Sequence, residues 1–87
     1  MIYRVVVKPT VDKFILRQRI MDARAIAERL RSLAQEPRPR DVRKLSGMEL
    51  WRVRVRDFRV VYRVDDKERV VYVERVARRS EDTYKGL

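Results

Sequence analysis

The sequence predicts an α+β fold in which two N-terminal helices pack on one face of a small antiparallel sheet, in the order β-α-α-β-β-β. Three observations carry this. Apolar and polar residues alternate with period two at the start of the chain and again in three later runs. Between them, apolar residues recur at spacings of three and four. The connections between the three later runs are short enough to force antiparallel neighbours. The 87 residues form a single domain, 1–87, a length that supports one modest core.

The first strand lies within residues 1–8. Tyr3, Val5 and Val7 share one face, and Arg4 and Lys8 the other. Pro9 and Thr10 interrupt it, and Thr10 is placed to cap a helix. From Val11 to Ala34 the pattern is helical. Ile20, Ala23, Ile26, Ala27, Leu30, Leu33 and Ala34 form an apolar stripe, with Arg24, Glu28 and Arg31 on the other side. A break near residues 17–19 divides this region into a short and a longer helix. With no Gly or Pro at the break, a single bent helix is the alternative. Pro37 and Pro39 end the helical region, and residues 36–48 read as a loop. Strands follow at 49–56, 58–65 and 70–75, with a turn at Asp65, Asp66 and Lys67. Residues 77–87 are a polar tail or a helical turn.

Charge narrows the function. The net charge is +10, from 23 Lys+Arg against 13 Asp+Glu, and 41% of residues are charged where about 25% is usual. A small domain with this balance is drawn to polyanions, nucleic acid first. Cysteine and histidine are both absent. Disulfides, thiolate catalysis, Cys-based zinc sites and histidine acid–base chemistry are therefore excluded. No metal or cofactor is expected. No run approaches the roughly 20 apolar residues of a membrane span, and residues 1–7 have no signal-peptide core, so a cytoplasmic location without membrane contact is expected.

The strongest local signal runs from Trp51 to Val64. Strand alternation points Arg52, Arg54 and Arg56 one way and Trp51, Val53 and Val55 the other. On the next run, Arg59 and Arg63 oppose Phe58, Val60, Tyr62 and Val64. Two neighbouring strands thus pool five guanidinium groups, and Asp57 is the one acid within the segment. A half-exposed strand also needs polar residues on its wet face, and a merely solvated surface is the plainer reading. The alternation and the near absence of acids favour binding, because arginine forks onto phosphate oxygens and stacks on bases. Trp51, Tyr3, Tyr62 and Tyr72 are assigned to packing.

The run Lys44-Leu45-Ser46-Gly47, then Leu50 to Val55, then Asp57-Phe58-Arg59-Val60-Val61-Tyr62, resembles the central signature of the RelE/ParE toxin superfamily. Glu36 to Pro39, Val76 to Arg79 and Tyr84 extend the likeness over nearly the whole chain. The resemblance implies a type II toxin held by a cognate antitoxin in a hetero-oligomer, with part of the helical apolar stripe open to it. RelE-type members are ribosome-dependent endoribonucleases that cut mRNA in the A site; ParE-type members poison DNA gyrase. The resemblance puts the functional basic pair on Arg52 and Arg54, the phosphate-binding arginine on Arg59, the late arginine on Arg78 or else Arg79, and the catalytic tyrosine on Tyr84. Arg54, Arg59, Arg78 and Tyr84 are the expected catalytic set. Arg52, Arg56, Arg63, Arg79 and Lys44 are expected to hold RNA. Related ribonucleases carry lysine where Arg52 and Arg54 stand here. A non-catalytic RNA-binding module of the same fold is a further alternative.

Overall fold

The computed structural model describes residues 2–79. The strand β1 spans Arg4–Val7, and two helices follow, α1 at Pro9–Leu16 and α2 at Ile20–Gln35. The remaining strands are β2 at Arg43–Lys44, β3 at Trp51–Val55, β4 at Phe58–Asp65 and β5 at Val70–Arg78. They form one five-stranded sheet in the order β1-β5-β4-β3-β2. The fold class stands as expected, with one refinement: the sheet is mixed. Strand β1 runs parallel to β5, with Arg4 opposite Val70, while the other pairs are antiparallel. The helical excursion between β1 and the meander is long enough to make that parallel crossover.

Local chemistry explains where expectation and structure part. Pro9 does not precede the helix; it opens it, with Lys8 as the N-cap and no side-chain cap from Thr10. At the first helical position the missing proline N–H would have had no partner anyway. The two helices are distinct. The Arg17 and Gln18 amides close tight turns onto the Phe14 and Ile15 carbonyls, and the Gln18 side chain also bonds Phe14. Arg19 then takes an extended conformation before α2 begins. The 36–48 segment hides the two-residue strand β2. Its hairpin to β3 is closed by the Leu45 amide on the Leu50 carbonyl, with Gly47 at φ +73°, a conformation glycine adopts without steric cost. Strand β5 runs three residues beyond the expected end. A bulge between the Tyr62–Val73 and Val61–Arg75 pairs inserts Glu74 and shifts the period-two pattern by one.

The core lies between the helices and one face of the sheet. Val11 and Ile15 of α1 and Ile26, Leu30 and Leu33 of α2 pack on Val53, Val55, Phe58, Val60, Tyr62, Val71, Val73 and Val76. Phe14 meets Phe58 edge to face, with ring centroids 6.1 Å apart. Ile20 is the exception to the expected stripe: as the first residue of α2 it sits at the helical corner, exposed together with Leu16 and Met21. The Tyr62 hydroxyl donates to the Pro37 carbonyl at 2.6 Å. Burial pushes its pKa up to about 12.

Candidate nucleic-acid interface

Among the described residues no helix covers the other face of the sheet, yet three of its residues, Val61, Val70 and Ala77, are buried. In register, Val61 sits between Arg52 and Arg75, and Ala77 lies beside Arg59. The long stems of these arginines exclude water from the apolar residues while the guanidinium groups reach outward.

The strand register sorts the arginines into rows. One row crosses the sheet as Arg43, Arg52, Val61 and Arg75 on β2, β3, β4 and β5. The next row runs Arg54, Arg59 and Ala77. Two like-charged pairs therefore stand directly opposite one another, Arg43 with Arg52 and Arg54 with Arg59. Such pairs are unfavourable in an isolated sheet. The effect on Arg54 is visible: Arg52 first, then Arg79, with smaller contributions from Arg59 and Arg43, lower its pKa from the usual arginine value.

Open clefts flank the rows. One of about 420 Å³ is lined by Asp57, Arg59, Arg78 and Arg79, and one of about 360 Å³ by Asp41, Arg43, Arg52 and Arg54. The Arg59 Nε is buried and has no hydrogen-bond partner among the described residues, a group that an incoming anion would satisfy.

The other expected site residues are placed as follows. Arg56 is not on the strand face; it occupies the two-residue β3–β4 turn at φ +53° and pairs with Asp22 of α2 at 2.7 Å. Arg63 lies over the Tyr72 ring at 4.0 Å and faces Glu74, which also binds Lys8. Arg78 is on the helix side of β5, its guanidinium 5.0 Å from the Phe58 ring and 3.5 Å from Gln18. Arg79, one residue on, joins the open face, and its amide bonds the Asp57 carbonyl. Lys44 pairs in register with Trp51, the side opposite Arg52, and reaches Glu49 at 3.4 Å. Trp51 is partly buried against the core, with Arg38 over its ring. Tyr84 lies outside the described residues. The arginine that the sequence reading missed is Arg43. A hairpin centred on Gly47 would have set it opposite Arg52, so its signal was the turn and not the strand.

A family model described as the ParE toxin of the type II toxin–antitoxin system, parDE, matches residues 3–83. The chain belongs to the RelE/ParE superfamily of type II toxins. Within solved structures, the family toxin in the archaeal RelE–RelB complex from Pyrococcus horikoshii is 33% identical with a TM-score of 0.83, covering 93% of this chain and 99% of that one. The toxin–antitoxin complex RelBE2 from Mycobacterium tuberculosis gives 22% identity and a TM-score of 0.76, covering 90% and 99%. An E. coli RelE mutant in the free state gives 24% and 0.77, covering 92% and 86%. The last two are likenesses of fold. A search of curated proteins gives no match.

Proposed function

We propose that this toxin is a ribosome-dependent endoribonuclease that cuts mRNA in the A site and so stops translation. The observation that supports the reading best is the two directly opposed arginine pairs, Arg43 with Arg52 and Arg54 with Arg59, on the face that no described helix covers. A solvated surface needs no directly opposed like charges, and a phosphate chain turns their repulsion into attraction.

The chemistry follows from the residues at hand. The ribose 2′-oxygen attacks the adjacent phosphorus, the bond from phosphorus to the 5′-oxygen breaks, and a 2′,3′-cyclic phosphate and a 5′-hydroxyl result. A base takes the 2′-OH proton, cations stabilise the phosphorane, and an acid protonates the leaving oxygen. Arg54 and Arg59 supply the charge. Arg79 completes that group, since it shares their face while Arg78 rests on Phe58. The described tyrosines are engaged elsewhere: Tyr3 donates to Asp66, Tyr62 is buried with its proton held tightly, and Tyr72 lies under Arg63. Tyr84 is the base of this scheme. The leaving oxygen takes its proton from water. Arg54 is shifted in the direction an acid requires, but arginine starts too high to give a proton readily. Ribosomal positioning supplies much of the rest.

The protein works in the cytoplasm and is held by a cognate antitoxin; solved relatives are themselves complexes with RelB. Toeprinting on programmed ribosomes tests the reading: wild type cuts in the A site, and Tyr84→Phe and Arg59→Ala do not. Full toxicity of both variants would overturn it. The match to a ParE-type family model favours a second reading, gyrase inhibition, for which a supercoiling assay is decisive: inhibited gyrase with intact translation selects it.

A further inference from the structure

The arginine face keeps its charge only while the acids nearest to it are held elsewhere. We propose that Arg29 of α2 is a latch on Asp41: it holds that carboxylate off the sheet and so leaves Arg54 unneutralised. Arg29 is a positioning residue in this role and acts on RNA only through Asp41. The role rests on the RNA reading above and deepens it.

Three observations support it. First, the β2–β3 register sets Arg43 opposite Arg52. Carried two residues further, the same ladder would set Asp41 opposite Arg54, the favourable kind of cross-strand pair. The ladder stops short of that. Strand β2 begins only at Arg43, the Val42 amide closes a turn on the Pro39 carbonyl at 3.2 Å, and Asp41 accepts from the Arg29 guanidinium at 2.5 Å. Second, Asp41 stays within reach. It lines the cleft of about 360 Å³ together with Arg43, Arg52 and Arg54, and is the one acid among those lining residues. Its side chain is 60% exposed and that of Arg29 is 27% exposed, so the cation is the fixed partner and the acid the movable one. Third, Arg29 lines the adjoining cleft between α2 and β3 together with Arg54 and Val55, which puts the latch beside the residue it protects.

The consequence is a two-position acid. With the latch closed, Arg54 and Arg59 both remain available to a phosphate chain. With the latch open, β2 lengthens by two residues, Asp41 pairs with Arg54, and one guanidinium is withdrawn from the RNA.

The test uses the full-length toxin and a non-cleavable, fully 2′-O-methylated single-stranded RNA, with affinity measured across a salt series. Arg29→Gln should lower the slope of log affinity against log salt by about 0.7, the value of one single-strand phosphate contact. Arg29→Met, which keeps the apolar stem in place, should do the same, so a packing defect peculiar to Gln does not decide the matter. Arg29→Lys should keep the slope, and Arg31→Gln, an equal charge change elsewhere on α2, should not alter it. In an Asp41→Asn background, Arg29→Gln should have no further effect on the slope. Nuclear Overhauser spectra supply a readout that needs no RNA: a cross-strand contact between residues 41 and 54 should appear in Arg29→Gln and not in wild type. If Arg29→Gln lowers the slope equally with and without Asp41, Arg29 touches RNA itself and the latch is wrong. If wild type binds with salt sensitivity and Arg29→Gln keeps its slope, the latch is wrong and the RNA reading survives. If wild type shows no salt-sensitive binding but the 41–54 contact forms in Arg29→Gln, the RNA reading fails and the latch stands. Absence of that contact in the Gln and Met variants overturns the latch outright.

Discussion

Arg59 and Arg63 lie on one strand, point to the same face and are four residues apart, yet they meet opposite surroundings. Arg59 stands across from Arg54, with a buried Nε that finds no partner among the described residues. Arg63 stacks on Tyr72 and faces Glu74, whose other oxygen holds Lys8. The same division extends over the sheet. Toward β2 and β3, guanidinium groups oppose one another. Toward β5, β1 and the β4–β5 turn, carboxylates enter the pattern: Glu74 takes Lys8 and Arg63, and Asp66 takes both a bidentate Arg38 and the Tyr3 hydroxyl. An alternating arginine pattern is therefore not a site. A site is the part of the pattern that the fold leaves unneutralised.

The largest expected effect comes from removing the unneutralised end. Arg59→Ala should reduce A-site cleavage by about 10²-fold or more, by analogy with losing one preorganised donor to a developing charge. Its thermal stability should change little, since relief of the charge facing Arg54 offsets the packing that the Arg59 stem gives Ala77. Cleavage assays with a melting curve on the same sample check both halves. A variant that loses activity only in step with its melting temperature would mean that Arg59 is structural, and the contrast with Arg63 would collapse.

This contrast also marks the limit of what the sequence discloses. Strand β4 is legible to the residue because Phe58 to Asp65 alternates with Val61 as its one break, and the turn at Asp65, Asp66 and Lys67 bounds it. The turn between the helices is legible too, although no Gly or Pro marks it. Strand β2 is not, because two adjacent basic residues carry no apolar period. The end of β5 is lost because Glu74 occupies a bulge and the pattern changes phase there. The five arginines between Arg52 and Arg63 look equivalent by alternation, and the acids that separate them lie elsewhere in the chain. Asp22 comes from α2 to take Arg56, and Glu74 comes across the bulge to take Arg63. Faces follow from local pattern; partners follow from register, and register depends on the turns and bulges that pattern alone does not fix.

The second effect in size is a gain. Glu74→Gln removes the carboxylate that holds Lys8 and Arg63, so the paired half of the open face should come to resemble the free half. Affinity for single-stranded RNA should rise severalfold at low salt, and the salt slope should steepen by up to about 1.4, two contacts at about 0.7 each. An unchanged slope would show that the β5 side lies outside the path of the RNA. Arg63→Ala probes the same corner more gently. It removes one stack on Tyr72, worth about 0.5–1 kcal/mol at an exposed position, and should lower cleavage by less than about tenfold, the equivalent of 1.4 kcal/mol in the barrier. A loss as large as that of Arg59→Ala would erase the distinction between the two arginines.

The smallest effect is electrostatic and lies at the β4–β5 turn. Hydrogen bonds from Arg38 and then Tyr3 hold the Asp66 carboxyl below its usual pKa. Because the folded value lies below the unfolded one, the folded state binds fewer protons in that range. Its contribution to stability is therefore complete above the ordinary aspartate pKa of about 3.9 and is lost as pH falls through the depressed folded value. Asp66 is exposed and solvent screens it, so the effect should be a modest decline in melting temperature below about pH 4. Asp66→Asn should be less stable than wild type at neutral pH and converge with it in acid. RNA binding at neutral pH should keep its salt slope in this variant, since the paired corner and the arginine rows are separate. If the slope fell as well, the corner would be coupled to the interface through Arg38 and Trp51, and the two ends of the sheet would have to be treated as one electrostatic unit.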